Sequence, residues 1–123
     1  MIRLGALERA VMDCLWTADR AMTVREVHET LLEDRQLAYT TVLTTLQRMA
    51  RKGLVNQSRD ERAHRYGAAS SRAEMFAELL ADALGVAGGE PGAFVRFVDG
   101  LDAEDRAALR DALDRDVEDR RVG

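Results

Sequence analysis

A mainly α-helical fold with one small β-hairpin is what this sequence of 123 residues predicts, and three observations predict it. Apolar residues recur at three- and four-residue spacing in three successive segments, two short strand-like runs follow the third, and the charge balance reverses near residue 72. Residues 1–72 carry 12 basic and 9 acidic side chains, a net of +3, whereas residues 73–123 carry 6 and 13, a net of −7. The length suits one core, or one small domain with an appendage. A content of 46% hydrophobic and 33% charged residues is that of a folded, soluble chain. No apolar run approaches the roughly 20 residues of a membrane span, so no membrane insertion is expected. The opening MIRLGALERAV lacks the apolar stretch of a signal peptide, and a cytoplasmic location is expected. The single cysteine, Cys14, excludes an intrachain disulfide and a thiolate metal cluster.

The elements follow in order. In LGALERAVMDCLWTA, Leu4, Leu7, Val11, Cys14, Leu15 and Ala18 form the apolar stripe of a first helix. Thr23 and Glu26 have the spacing of a capping box and start a second helix, with Val24, Val27 and Leu31 inward, that ends near Arg35. His28 lies near that stripe without a second ligand at metal spacing, so it reads as a packed or surface imidazole.

Residues 39–53 form the third and most informative segment. At 100° per residue Tyr39, Val42, Leu43, Leu46, Met49 and Ala50 fall within roughly a 120° arc, which is expected to face the core. The opposite arc holds Thr40, Thr41, Thr44, Thr45, Gln47, Arg48, Arg51 and Lys52, and no acid occurs between Asp34 and Asp60. Threonine is a mediocre helix former, so four on one face need a reason. Short hydroxyls flanked by Arg and Gln suit a DNA major groove: the small side chains let the helix approach, Gln47 and Arg48 reach base edges, and Arg51 and Lys52 reach phosphates. Gly53 stops the helix.

Residues 54–58 and 63–67 are strand candidates joined by the charged link 59–62. Three helices followed by such a hairpin spell a winged helix-turn-helix, with the hairpin as wing and Arg62, His64 and Arg65 along the phosphates. Asp60 and Glu61 at its tip would repel that backbone unless they pair with neighbouring arginines. Residues 1–70 are therefore assigned to a DNA-binding domain.

Residues 71–123 are assigned to a helical dimerisation domain. Ser71 and Glu74 form another capping box, ahead of Phe76, Leu79, Leu80, Ala83 and Leu84. Residues 85–92, with four glycines and the only proline, are read as a hinge or loop. Phe94, Val95, Phe97, Val98 and Leu101 follow, and Asp102 is the expected N-cap of a last helix with Ala108, Leu109, Ala112, Leu113 and Val117 apolar. About 50 residues in short helices bury too little of this surface alone. A homodimer joined through Phe76, Leu79, Leu80, Leu84, Phe94, Phe97, Val98, Leu101, Leu109 and Leu113 is expected, with packing back on the first domain as the alternative. A phosphate-binding glycine loop, a nucleophile elbow and a metal-spaced His/carboxylate set are all missing, so neither an enzyme, a cofactor nor a metal is expected.

The segments LERAVMDCLW (7–16), TVREV (23–27), YTTVLTTLQRMARKGLV (39–55) and RAHRY (62–66) together resemble the BlaI/MecI family of penicillinase repressors, its actinobacterial members most. The second half resembles it through FVRFV (94–98) and AALRDAL (107–113). The resemblance implies a dimeric winged-helix repressor on a palindromic operator of β-lactamase or cell-wall stress genes. It further implies a membrane-bound sensor protease whose cut in the dimerisation domain relieves repression. The family's cut falls at an Asn-Phe bond; the nearest dipeptide here is Arg96-Phe97, after a one-residue gap. The alternative is a winged-helix regulator that releases DNA on binding a small molecule. A copper-responsive branch is not implied, because its C-terminal cysteine motif is missing.

Overall fold

The computed structural model describes residues 4–122 apart from Ala87 and Gly89, and the chain divides into two compact units, residues 1–82 and 83–123. In the first unit, α1 (Ala6–Ala18), α2 (Val24–Leu31) and α3 (Tyr39–Arg51) pack together around a small antiparallel sheet. The sheet has the order β1 (Met22–Thr23), β3 (His64–Ala68), β2 (Val55–Arg59), with Met22 opposite Tyr66 and Val55 opposite Ala68. The strand β1 is an addition to the predicted hairpin, since two residues are too short for any periodicity.

The capping boxes form as expected. Thr23 Oγ1 accepts from the Glu26 amide at 3.1 Å while Glu26 accepts from the Thr23 amide at 3.0 Å, and Ser71 and Glu74 do the same at 3.1 Å each. The second helix stops at Leu31 instead of near Arg35; the amides of Leu32 to Arg35 close turns onto His28, Thr30 and Leu31 carbonyls. Val11, Met12, Leu15, Val27, Val42, Leu46, Met49 and Tyr66 are almost fully buried and form the core, with the Cys14 thiol 3.7 Å from Met22 sulfur. Burial pushes that thiol's pKa up.

The helix α4 (Arg72–Val86) packs two residues of the expected dimer surface, Phe76 and Leu79, partly against the first unit. Met75, 1% exposed, belongs to the first unit's core; Leu79 packs half-buried against that core, and the Phe76 ring sits 5.9 Å from that of Trp16. Phe76 and Leu79 thus cover the first unit, because α4 begins next to α1, where the Ser70 carbonyl accepts from Trp16 Nε1 at 2.9 Å. The Arg72 guanidinium lies 5.2 Å from the Trp16 ring centroid.

In the second unit α5 spans Pro91–Asp99 and α6 spans Ala103–Val122. The predicted hinge is shorter than residues 85–92: α4 runs on to Val86, and Pro91 occupies the first turn of α5, where its missing N–H is harmless. Ala87 and Gly89 of that hinge lie outside the described residues, as does the Val117 side chain. Asp102 caps α6, its Oδ1 accepting from the Asp105 amide at 2.8 Å. Leu84, Phe94, Val95, Phe97, Leu109 and Leu113 are exposed, as is Leu80 of the first unit, whereas Val98 and Leu101 are half-buried. Among the described residues no helix is long and apolar enough to cross a membrane.

Candidate nucleic-acid interface

Sharp ends hold α3 in place. At its C-terminus Gly53 adopts φ +81, its amide donating to the Ala50 carbonyl at 3.1 Å and the next amide, Leu54, to Met49 at 2.9 Å. This paired arrangement satisfies the last carbonyls of the helix and turns the chain directly into β2. Val42, Leu46 and Met49 anchor the inner face. Thr40, Thr41, Thr44, Gln47, Arg48 and Arg51 are all exposed, and at 100° per residue they share an arc of roughly 120°.

Two assignments on α3 change. Thr45 is buried, 4% exposed, and its Oγ1 donates to the Thr41 carbonyl at 2.8 Å, so it is withdrawn from the outward face. Tyr39, expected in the core, is 46% exposed; as the first residue of the helix it overhangs the core, its ring edge-on to His28 at 5.9 Å. His28 Nε2 in turn lies 2.7 Å from the Leu37 carbonyl oxygen, the packed role expected of it. Lys52 is exposed but engaged, its Nζ donating to buried Glu8 at 3.1 Å.

The wing is β2, β3 and the turn between them. Asp60 Oδ1 accepts from the amides of Arg62 and Ala63 at 2.9 Å each, which shapes the turn and leaves the Arg62 side chain exposed. His64 Nδ1 lies 2.8 Å from Gln57 Nε2 across the strands. Arg65, expected along the phosphates, is ion-paired within the protein: its Nε donates to Asp60 at 2.6 Å and a terminal nitrogen to Glu26 at 3.3 Å. Asp60 thereby finds the arginine partner its place at the tip demanded. Arg65, with the Arg62 and Ala63 amides, holds the Asp60 carboxyl down at about 2. Arg20, with the Thr23 amide, holds that of Glu26 at about 2 as well.

Between α3 and the wing runs a cleft of about 570 Å³ lined by Arg25, Tyr39, Leu43, Gln47, Gln57, Arg62 and His64, among others. Arg25 and Gln57 were not singled out from the sequence, and Tyr39 was assigned to the core. Arg25 carried a usable signal, a cation in the first turn of the helix preceding the recognition helix; Gln57 carried none. In the second unit the Arg96-Phe97 peptide lies inside α5, where the Arg96 carbonyl accepts from the Gly100 amide at 3.1 Å.

Comparison with known proteins agrees with this arrangement. The chain is 53% identical over 116 residues to the transcriptional regulator BlaI of Mycobacterium tuberculosis, an alignment covering 92% of this chain and 84% of that protein. In fold it is similar to the solution structure of monomeric Bacillus licheniformis BlaI in complex with the blaP half-operator, at a TM-score of 0.52 and 22% identity, over 59% of this chain and 88% of that one. It is also similar to hsRosR-S1, at a TM-score of 0.52 and 20% identity over 94% of this chain and 93% of that one. Residues 4–115 match the penicillinase repressor family. Three helices leading into a wing are thus the first half of a match that spans both units, and the chain belongs to the penicillinase repressor family.

Proposed function

We propose that this chain is a transcriptional repressor that binds a double-stranded DNA operator, with α3 in the major groove and the wing along the flanking phosphates. The observation that carries the reading is the outward face of α3, where Thr40, Thr41, Thr44, Gln47, Arg48 and Arg51 are exposed with no acid among them. Hydroxyls this short allow close approach, and Gln47 and Arg48 have the reach to read base edges. Family membership and the half-operator complex of the Bacillus relative support the same reading.

Residues 1–70 carry DNA recognition in this proposal, and residues 71–123 carry dimerisation. Leu80, Leu84, Phe94, Phe97, Leu109 and Leu113 are large apolar side chains left exposed, and a second copy of the chain is the partner that fits them. Val98 and Leu101 border them. A two-fold dimer requires a palindromic operator with half-sites about one helical turn, ~10 bp, or a multiple of it apart. The regulated genes are β-lactamase or cell-wall stress genes, and induction is a proteolytic cut near Arg96-Phe97 by a membrane-bound sensor protease. One observation favours a second reading, small-molecule-triggered release: the Arg96-Phe97 bond is helical, and a protease needs it extended.

Footprinting on genomic fragments tests the first part, with paired protected half-sites as the expected result; a single half-site protected by a monomer would overturn the dimer. Intact-mass spectrometry of the protein from β-lactam-treated cells tests the second. A fragment ending between Gly88 and Arg96 supports cleavage, and derepression with the chain intact supports ligand release.

A further inference from the structure

We infer that Arg65 is the positioning residue of the wing, acting with Asp60 and Glu26 to fix the pose in which Arg62 meets the phosphate backbone, and is not itself a phosphate ligand. This rests on the reading of α3 and the wing as a DNA-binding surface, and concerns how that surface is held.

The sheet register sets the geometry. Thr23 stands opposite Arg65, and Glu26 lies one helical turn beyond Thr23, so a guanidinium on β3 reaches the start of α2. Arg65 bridges two carboxylates from different elements, Asp60 Oδ2 at 2.6 Å through Nε and Glu26 Oε1 at 3.3 Å through a terminal nitrogen. The other oxygen of Asp60 accepts the Arg62 and Ala63 amides. One carboxylate therefore both grips Arg65 and shapes the turn that presents Arg62. Glu26 is itself held by Arg20 at 2.8 Å and by the Thr23 amide at 3.0 Å. The contacts form a continuous chain from the loop after α1, across the start of α2, to the tip of the wing.

The charges explain why such a chain is needed. Asp60 at the tip of a wing repels a polyanion unless a cation neutralises it, and Arg65 is that cation. Its planar fork can face two carboxylates at once, which a lysine ammonium, a point charge, cannot do with the same geometry. Arg62, exposed on the turn that Asp60 shapes, and Arg59, exposed at the end of β2, are the wing arginines left to face phosphate.

The test uses the full chain and a mixed-sequence duplex of about three helical turns, followed by fluorescence anisotropy over a series of salt concentrations. Thermal melts fix a temperature at which every variant is folded. Arg62→Ala should lower the slope of log affinity against log salt by about 1 for each protomer bound, the loss of one phosphate contact apiece. Arg65→Ala and Arg65→Lys should each weaken binding about three- to tenfold, and Arg65→Lys, which keeps the charge beside Asp60, should cause no further loss when added to Arg62→Ala, because its geometric effect acts through Arg62. Three results would overturn the inference. The first is a further fall in slope of about 1 per protomer when Arg65→Ala is added to Arg62→Ala. The second is Arg65→Lys binding like the unmodified protein, since charge alone would then suffice. The third is Arg65→Ala without effect. If the unmodified chain fails to bind the duplex at low salt, the reading of the surface as DNA-binding falls, and this inference with it.

Discussion

Arg48 and Arg51 stand one turn apart on the exposed face of α3, and in the proposed reading their distances from the helix end suit them to different work. Arg48→Ala is expected to cost about 1–3 kcal/mol per half-site and to relax sequence preference, as loss of a base contact does. Arg51→Ala is expected to weaken all sequences alike and lower the salt slope by about 1 per half-site. Titration of operator and scrambled duplexes separates the two; an unchanged specific-to-nonspecific ratio for Arg48→Ala would remove it from base reading. Thr45→Val should leave that ratio untouched, since the hydroxyl is turned onto the Thr41 carbonyl. The sequence could not distinguish Thr45 from its neighbours: at 100° per residue it stands about 40° from buried Met49, at the border of the two arcs. Tyr39 was misread for the opposite reason, because it has the right angle for the core but occupies the first turn, where little core lies beneath it.

At the scale of elements, the caps were the most legible features, since each depends on one or two residues at fixed spacing. Gly53 is the clearest. It holds φ +81, and nothing lies within 4 Å of where a Cβ would stand, so Gly53→Ala costs backbone strain alone. A loss of about 1–2 kcal/mol in urea unfolding is expected. The Thr23–Glu26 box makes a prediction for acid. Glu26 titrates at about 2 when folded against an ordinary 4.5, so its stabilisation is complete above that ordinary value and is lost as pH falls toward 2. With the carboxylate side chain a third exposed, solvent screening keeps the effect small. The unfolding free energy of Glu26→Gln should therefore decline less steeply with falling pH than that of the unmodified protein between those limits, and parallel curves would remove Glu26 from the acid response. What the sequence concealed were elements without a period: β1 is two residues long, and the tail after α2 closes turns its composition does not announce.

For the whole molecule, α4 carries both packed and exposed apolar residues. Its residues Met75, Phe76 and Leu79 face the first unit, while Leu80 and Leu84 are exposed. Helical periodicity found Phe76, Leu79, Leu80 and Leu84 but passed over buried Met75, and it cannot say which body covers each. Met75→Ala in the full chain is expected to cost about 2–5 kcal/mol, as truncation of a buried methionine does. Phe97→Asp, at an exposed position, should leave unfolding of the monomer within about 0.5 kcal/mol. It should also shift the sedimentation equilibrium toward monomer, and unchanged association would remove α5 from the interface.

Trp16 is the only tryptophan of the chain, and every group about its ring described above, the Ser70 carbonyl, the Arg72 guanidinium and the Phe76 ring, belongs to the start of α4 or the residues leading into it. The protein therefore carries its own optical gauge of that junction, with no second indole to subtract and no dye to attach. Emission that stays constant as DNA is added would mean that α4 remains seated while the operator is occupied. A red shift with easier quenching by acrylamide would mean that binding unseats it, and the same trace would date that event against operator release.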